Sequence, residues 1–289
     1  MKTQKRGHDE ELPLVSVCCV TYNHEKYIAQ TIDSFLMQRT DFRYEILIHD
    51  DASTDDTGAI LDEYSARFPD KIHVIRQIEN QYSRIPIIFP RFLLPRARGK
   101  YIALCEGDDF WTDKLKLSSQ VELLEEKQKI DLCFHNTQVF DEDLPVYSNL
   151  ESENNSISYI PGAVISDKRQ SGRIHTSSML FRAESIIDIQ PWIWRTAPVG
   201  DLFIQAMSGK NGAVKINKIM SAYRYQVRGS YSEKSRYFSM YQILFKYVQS
   251  LIVTTALLFH RKIYLRQLKS LIFRFSISYA SLIIKRKTK

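Results

Sequence analysis

The sequence contains few cysteines, and none of them has the spacing of a metal-binding or redox motif. The 289 residues include only four, Cys18, Cys19, Cys105 and Cys133, and no two of them form a C-x-x-C pair. All four fall in segments that we predict to be β-strands. We therefore interpret them as reduced core residues, which favours a cytoplasmic location and argues against a zinc site or a disulfide framework.

The chain also has no long uncharged hydrophobic run. Residues 1–12 are polar and charged, so we expect no secretory signal. In the C-terminal region the uncharged runs 247–259 and 275–284 contain 13 and 10 residues, whereas a membrane-spanning helix needs about 20. The overall hydrophobic content of 44% is enough for one large domain with an appendage.

Positive charge is concentrated at the C-terminus. Residues 233–289 contain 12 Lys or Arg and one acidic residue, a net charge of +11, whereas the whole chain carries +7. The residues before this tail therefore carry a net charge of −4. We predict that the tail forms two basic amphipathic helices lying on an anionic membrane surface. Packing of the first helix on the rest of the protein is the alternative.

Three predicted strands end in polar, mostly acidic residues. The strands are 14–21, 45–48 and 101–105, and the polar segments that follow them are 22–25, 49–57 and 106–109. Helical patterns follow the first two of these segments. Because the carboxyl ends of parallel strands in βαβ units meet at one edge of a sheet, we expect the three segments to form a single site.

The third strand end has the densest negative charge. Glu106, Asp108 and Asp109 would repel one another unless a divalent cation or a set of N–H donors neutralised them. Hard oxygen ligands of this kind suit Mn²⁺ or Mg²⁺. A solvated acidic turn before the next helix is the alternative interpretation.

Four segments together resemble the motifs of the family 2 glycosyltransferases. They are 20–25, 49–55, 97–102 and 106–109, and the resemblance covers roughly residues 14–232. It implies an α/β protein of GT-A fold, a Rossmann-like, mostly parallel sheet flanked by helices, here with a C-terminal helical extension. It also implies an inverting enzyme that uses Mn²⁺ or Mg²⁺ and a nucleotide-diphospho-sugar.

The resemblance is to bacterial polysaccharide and capsule-type enzymes. It implies a glycan or lipid-linked acceptor and a peripheral position at the inner face of the membrane. We divide the chain into a nucleotide-sugar-binding half at 1–130, an acceptor-binding and catalytic half of the same domain at 131–232, and the basic tail at 233–289. The sequence leaves the oligomeric state open, including a homo-oligomer.

Residue roles follow from the resemblance where the motifs match. Asp51 lies where the family hydrogen-bonds the base, which favours a UDP-sugar, and Asp108 and Asp109 lie on the metal-binding motif. Glu106 replaces the first Asp of the usual D-x-D, so which aspartate is the direct metal ligand stays open. Arg98 is a candidate for the donor phosphates or a solvated cation. The residues assigned to donor binding are Thr21, Tyr22, Asn23, Glu25, Asp51, Arg98, Glu106 and Asp108.

A direct displacement also needs a base that accepts the proton of the acceptor hydroxyl. Asp201 follows Pro198 and Gly200 and stands near the start of a predicted helix. The resemblance implies that Asp201 is this catalytic base. An Asp at a helix start is also a favourable cap, worth about 1 kcal/mol, which is the alternative. Downstream, Arg224 is a further candidate for the donor phosphates or a surface residue.

Other functions compete with this interpretation. A nucleotidyltransferase would also use acidic residues and a metal, but it usually has a glycine-rich phosphate loop after the first strand, and residues 21–24 contain no glycine. A catalytically silent sugar-nucleotide-binding module would share the same motifs. A nucleic-acid-binding protein would leave the acidic strand ends unexplained, so we expect no nucleic-acid partner.

Overall fold

The computed structural model describes residues 12–84, 87–141, 144–148, 156–165, 173–197, 200–225 and 237–259, with a few further positions between 227 and 280. The strands are β1 (Val15–Thr21), β2 (Tyr44–Asp50), β3 (Ile72–Arg76), β4 (Tyr101–Glu106), β5 (Phe110–Trp111), β6 (Leu132–Asp141), β7 (Leu144–Ser148), β8 (Ile157–Ile160), β9 (Leu180–Arg182) and β10 (Ala213–Tyr225).

All ten of these strands belong to one sheet, in the order β3-β2-β1-β4-β9-β6-β10-β5, with β7 beside β6 and β8 beside β10. β1 pairs in parallel with β2 and β4, and β2 pairs in parallel with β3. β9 runs antiparallel to both β4 and β6, and β6 is parallel to β10. Six strands therefore share one direction, and the predicted mixed, mostly parallel sheet is confirmed.

Helices cover both faces of this sheet. The α-helices are α1 (Ile28–Leu36), α2 (Thr57–Arg67), α3 (Lys116–Glu126), α4 (Pro191–Thr196), α5 (Gly200–Ser208) and α6 (Met240–Phe259). Short helical turns occur at Phe89–Leu93, Leu94–Arg96, Gly162–Val164, Thr176–Ser178 and Ala183–Ser185. The helices predicted after the first two strands are α1 and α2.

Two hydrophobic cores result, one on each face. α1, α2 and α3 pack on one face, where alternate residues of β1 such as Val15, Val17 and Cys19 point. α4, α5 and α6 pack on the other face, together with Cys18 of β1. Cys105 and Cys133 are also buried in strands. Each of the four cysteines therefore acts as a core residue, as the sequence predicts.

The C-terminal helix α6 packs on the domain through one face. Three residues of this face are buried in the same core as α4 and α5: Ile243, Val253 and Leu257. For this face, the alternative that the first tail helix packs on the rest of the protein is therefore correct. The opposite face is exposed and apolar, with the side chains Tyr241, Leu244, Phe245, Val248, Ile252 and Phe259. This face is called the outer face of α6 below. The cations predicted beyond α6 lie mostly outside the described residues.

The length of α6 differs from the uncharged run seen in the sequence. The helix continues N-terminally through Lys246 and contains 20 residues, which makes it long and apolar enough to cross a membrane by length and composition. Soluble core helices pass the same test, so this property alone does not assign a membrane span.

One buried histidine gives the fold a built-in sensitivity to acid. His49 of β2 is fully buried, and neither of its ring nitrogens has a hydrogen-bond partner among the described residues. Its ring stacks on Phe92 with the ring centroids 4.7 Å apart. Burial lowers the pKa of His49 from its ordinary value to about 4, although the nearby carboxylates of Asp51 and Asp50 act in the opposite direction.

We expect the free energy of unfolding to fall as the pH drops from 6.5 towards 4. In this window the unfolded chain protonates His49 and the folded chain does not, so the contribution to stability is lost as the pH falls, by up to about 3 kcal/mol. Urea unfolding at pH 7 and pH 4.5 measures the effect. His49→Leu should reduce the pH dependence relative to wild type, and an unchanged dependence would contradict this origin.

Candidate active site

The three acidic strand ends lie side by side at one edge of the sheet. Thr21 of β1 is in register with Asp50 of β2, and Val20 is in register with Glu106 of β4. The carboxyl ends of β1, β2 and β4 therefore adjoin, with β1 in the middle. This arrangement confirms the expected meeting of the three polar segments.

Asn23 and Glu25 fasten the loop after β1 to the loop after β2. The Asn23 side-chain Oδ1 accepts a hydrogen bond of 2.8 Å from the Thr54 backbone N–H, and Asn23 has the left-handed φ of 56° that asparagine tolerates. The Glu25 Oε2 accepts one of 3.0 Å from the Asp56 N–H. Tyr22, between these anchors and Thr21, remains exposed. These contacts fix the loop after β1 against the loop after β2.

Asp51 anchors a third loop, the one after β3. Its Oδ1 accepts the backbone N–H of Gln81 at 2.7 Å and its Oδ2 accepts that of Tyr82 at 2.9 Å. Its own N–H donates to the Thr21 carbonyl at 3.0 Å. Each carboxylate oxygen can accept a second hydrogen bond, so a nucleobase contact remains compatible with this role. Asp51 is therefore at least a structural centre of the site.

The acidic turn after β4 concentrates negative charge, which the positive charge of Arg224 only partly offsets. Asp109 is buried, its Oδ1 accepts the Arg224 backbone N–H at 3.0 Å, and its Oδ2 has no partner among the described residues. Burial, and then the charges of Asp108 and Glu106, raise the pKa of Asp109 well above its usual range.

Glu106 ends β4, and its side chain is reached by solvent. The carboxylates of Asp108 and Asp201 act on it, and the space between these three residues is called the recess below. Desolvation by the surrounding protein, and then the carboxylates of Asp108 and Asp201, raise the pKa of Glu106 to about 8. A cation in this recess would relieve the repulsion.

The acidic turn fits a divalent metal only if other ligands would complete its coordination. Within the described ranges, no group of three or more His, Cys, Asp or Glu side chains is arranged to hold a metal by itself. Mg²⁺ and similar ions are commonly held by one or two carboxylates together with phosphate oxygens and water. The unpartnered Asp109 Oδ2 and the Asp108 carboxylate supply such oxygens.

Gly107 allows the acidic turn to approach β1 closely. A Cβ at this position would lie 2.5 Å from the Thr21 Oγ1 and 2.8 Å from the His24 Nδ1. His24 in turn places its Nε2 3.8 Å from the Asp108 Oδ2. The loop after β1 and the acidic turn are thus in direct contact through His24, a link that no pattern in the sequence indicates.

Arg224 hydrogen-bonds to both aspartates of the acidic turn. Its guanidinium donates to the Asp108 carbonyl at 2.5 Å and to the Gln30 side chain. It also lies 4.7 Å from the Tyr27 ring centroid and 4.8 Å from that of Phe110. These partners leave Arg224 only partly exposed, so it is not the free surface residue that the sequence offered as an alternative. Its contact with the donor phosphates stays a prediction.

Asp201 lies in the first turn of α5 and faces the same recess. It is half-buried. Its charge is close enough to Glu106 and to Tyr82 to raise the pKa of both. The structure therefore brings the predicted base to the predicted metal motif, although they are more than 90 positions apart in the sequence.

Arg98 lies at the opposite edge of the sheet. Its guanidinium pairs with the Glu45 carboxylate at 2.7 Å, and its backbone N–H donates to Glu45 at 2.9 Å. Glu45 is at the amino end of β2, and Arg98 precedes β4. The length of β4, roughly 20 Å at about 3.3 Å per residue, separates this pair from the acidic turn. This position does not fit the expected phosphate contact, so we leave Arg98 out of the proposed site.

Solved structures identify the class of fold. The structure is similar to that of TarS 1–349 of Staphylococcus aureus in complex with UDP-GlcNAc, with a TM-score of 0.62, 18% sequence identity, and coverage of 90% of this chain and 71% of that chain. The predicted GT-A fold, with its acidic edge at the carboxyl ends of the parallel strands, is confirmed.

Sequence comparison identifies the family. Residues 16–189 match the model of Glycosyl transferase family 2, so the chain belongs to that family. An uncharacterized protein of Mycobacterium tuberculosis is 34% identical over 216 residues, 74% of this chain and 60% of the relative. WfaP of Escherichia coli, a "UDP-Glc:alpha-D-GlcNAc-diphosphoundecaprenol beta-1,3-glucosyltransferase", is 34% identical over 125 residues, 43% of this chain and 46% of the relative. The chain thus spans about 60% or less of the length of these relatives.

Proposed function

We propose that this protein transfers a sugar from a UDP-sugar to a glycan or lipid-linked acceptor, with inversion at the anomeric carbon. The observation that carries the proposal is the convergence of Asp51, the acidic turn and Asp201 on one recess at the carboxyl ends of β1, β2 and β4. The names of TarS in complex with UDP-GlcNAc and of WfaP, with its UDP-Glc donor and lipid-linked acceptor, support the donor and acceptor classes.

Each part of the site has one role in this mechanism. Asp201 accepts the proton of the acceptor hydroxyl while the hydroxyl oxygen bonds to the anomeric carbon and the bond from that carbon to the phosphate breaks. Asp108 and Asp109 would hold Mn²⁺ or Mg²⁺, which when bound supplies positive charge against the leaving diphosphate. Arg224 holds both aspartates in position: its backbone N–H donates to the Asp109 carboxylate, and its guanidinium donates to the Asp108 backbone carbonyl.

A donor screen tests the proposal. Release of UDP from a panel of UDP-sugars, with GDP- and CDP-sugars for comparison, is measured with and without Mn²⁺. We expect UDP release that depends on the metal. Binding of a nucleotide sugar without any turnover, with or without added acceptors, would instead favour the silent module. Formation of a nucleotide sugar from UTP and a sugar phosphate would favour a nucleotidyltransferase.

We expect Asp51 to set the preference for uridine. Its carboxylate can accept the imide N–H of uracil, a donor that cytosine lacks, so UDP should bind more tightly than CDP or GDP. Asp51→Ala should remove most of the difference in calorimetric titrations. Because Asp51 also holds the backbone of Gln81 and Tyr82, Asp51→Asn is the milder companion variant. Equal binding of the three nucleotides by the wild type would exclude this assignment.

We further propose that the outer face of α6 lies on an anionic membrane. This face is apolar and exposed while the opposite face is fixed in the core, and the tail with a net charge of +11 begins just before it. Apolar insertion combined with basic residues is the pattern of interfacial helices. A membrane position would bring the recess to a lipid-linked acceptor, at the cytoplasmic side.

Liposome flotation tests this membrane association. Wild-type protein should float with anionic liposomes in a manner that salt weakens but does not abolish. The double variant Phe245→Glu and Ile252→Glu should be released while UDP release persists. Ending the chain after Lys262 is not an equivalent test, because it removes Ile263 and Leu271, which are buried in the core. Ile187→Glu, at an exposed apolar residue far from α6 in sequence, is the control. If the double variant floats like the wild type, the outer face of α6 does not contact the membrane.

A further inference from the structure

Tyr82 lies where the nucleotide side of the site meets the catalytic side. We propose that the Tyr82 side chain contacts the sugar of the donor and helps to select which sugar is accepted. The proposal rests on the transferase function proposed above. No sequence pattern indicates Tyr82, because the loop after β3 carries none of the four family motifs.

The backbone around Tyr82 is fixed to the end of β2. The Asp51 carboxylate accepts the N–H groups of both Gln81 and Tyr82, at 2.7 and 2.9 Å. The Asn80 side-chain amide donates to the Asp51 carbonyl at 3.3 Å, and its Oδ1 accepts the Ser83 N–H at 2.9 Å. These hydrogen bonds fix the backbone of Tyr82, and therefore the position from which its side chain extends. This position lies beside Asp51, the residue that we assign to the uracil base.

The backbone N–H of Tyr82, held by the Asp51 carboxylate at 2.9 Å, places this residue beside the carboxyl ends of β1 and β2. Tyr82 is 44% exposed, which leaves part of its side chain open to a ligand. Desolvation, followed by the charges of Glu106 and Asp201, raises the pKa of Tyr82 to about 12. The phenol therefore stays protonated at neutral pH and can donate a hydrogen bond.

The geometry of the displacement places the donor sugar beside Tyr82. In an in-line displacement, the leaving phosphate and the attacking hydroxyl lie on opposite sides of the anomeric carbon. In the proposed mechanism the leaving phosphate lies at the acidic turn that contains Glu106, and the attacking hydroxyl of the acceptor lies at Asp201. A side chain that is close to both carboxylates and is anchored at Asp51 consequently borders the sugar that lies between them.

The chemistry of a tyrosine suits such a contact. Its ring face packs on the C–H face of a pyranose, and its O–H donates to a sugar hydroxyl. A site built to hydrogen-bond a particular hydroxyl discriminates strongly against a sugar that lacks it or holds it in another orientation. Tyr82→Phe removes only the O–H, and Tyr82→Ala removes the ring as well, so the two variants separate these contributions.

Calorimetric binding of UDP and of UDP-sugars is the test. Tyr82→Ala should leave the affinity for UDP near wild type and weaken the affinity for the preferred UDP-sugar by roughly tenfold, because only the sugar loses its contact. Tyr82→Phe should change the ratio of kcat/KM between UDP-sugars that differ at one hydroxyl. Tyr237→Ala, at an exposed tyrosine outside the loop, is the control.

Three outcomes would overturn the proposal. Equal losses for UDP and UDP-sugar in Tyr82→Ala would make the residue a support of the nucleotide loop. An effect confined to the KM of the acceptor would make it an acceptor residue. Unchanged affinities and ratios in both variants would leave it no role in the site. If the wild type binds UDP-sugars but never turns them over, the transferase function fails while the binding comparison still decides the role of Tyr82.

Discussion

Replacing Asp108 or Asp109 with Asn will lower sugar transfer by orders of magnitude. Each substitution removes a carboxylate charge that would hold the cation on the donor diphosphate. Loss of leaving-group stabilisation raises the barrier by several kcal/mol, and each ~1.4 kcal/mol is a factor of ten in rate. Initial rates of UDP release at saturating Mn²⁺ measure the effect. Metal-dependent binding of UDP, followed by calorimetry, should weaken in parallel.

We expect this loss of transfer activity to occur without a loss of folding. In the Asp109→Asn variant, the side-chain amide can keep its carbonyl oxygen towards the Arg224 N–H, which the native Oδ1 accepts at 3.0 Å. Because the carboxylates of the turn raise the pKa of Asp109 well above its usual range, removing one of them should leave the melting temperature unchanged or higher.

An exposed carboxylate provides the control for these variants. Glu126→Gln, at the end of α3, alters a solvent-exposed side chain outside the proposed site and should keep full activity. Full activity of the wild type in excess EDTA would refute the metal assignment for both aspartates at once.

The sequence predicted the frame of the site well because the pattern that produces it is local. The apolar runs that become β1, β2 and β4, and the polar residues that follow them, can be identified without knowing any distant contact. Their meeting at one edge follows from the parallel arrangement of βαβ units. The position of Asp201 depended instead on the family resemblance, because no local pattern relates α5 to β4.

The contacts that the sequence did not predict are those between distant segments. Arg98 was assigned to the donor because it is a cation before the acidic strand, but only the pairing of β1 with β2 and β4 places Glu45 beside it. Arg224 was assigned from its charge and from the resemblance of its segment to the family, whereas its partners at the acidic turn are more than 100 positions away. Charge identifies a residue as polar, and tertiary contacts decide which partner it meets.

The outer face of α6 illustrates a different limit. Its exposed apolar residues and the buried Ile243, Val253 and Leu257 alternate along one helix. Both sets are apolar, so hydropathy gives no indication of which of them faces the core. The sequence therefore left packing and membrane contact as competing alternatives, whereas in the structure one face packs and the other is open.

Replacing Asp201 with Asn should abolish most turnover while leaving donor binding intact. The amide has nearly the same shape as the carboxylate but cannot accept the acceptor proton, and loss of a general base typically costs about 10²–10⁴-fold in rate. The affinity for UDP should stay near wild type, because in the proposed mechanism Asp201 acts at the reacting carbon whereas the loops after β1 and β2 would hold the nucleotide. Steady-state rates with donor and acceptor, combined with calorimetric titration of UDP, measure the two quantities separately.

The choice of Asn also distinguishes a base from a helix cap. Asn and Asp cap helices about equally well, so a residue whose role is only to cap α5 would tolerate this substitution with little change in stability or activity. Asp188→Asn, at an exposed aspartate that precedes α4, is the matched control and should behave as wild type. A fall in UDP affinity as large as the fall in turnover would make Asp201 a binding residue, and retention of turnover would assign it to the cap. Turnover that collapses at constant affinity and constant melting temperature is the result expected of the catalytic base.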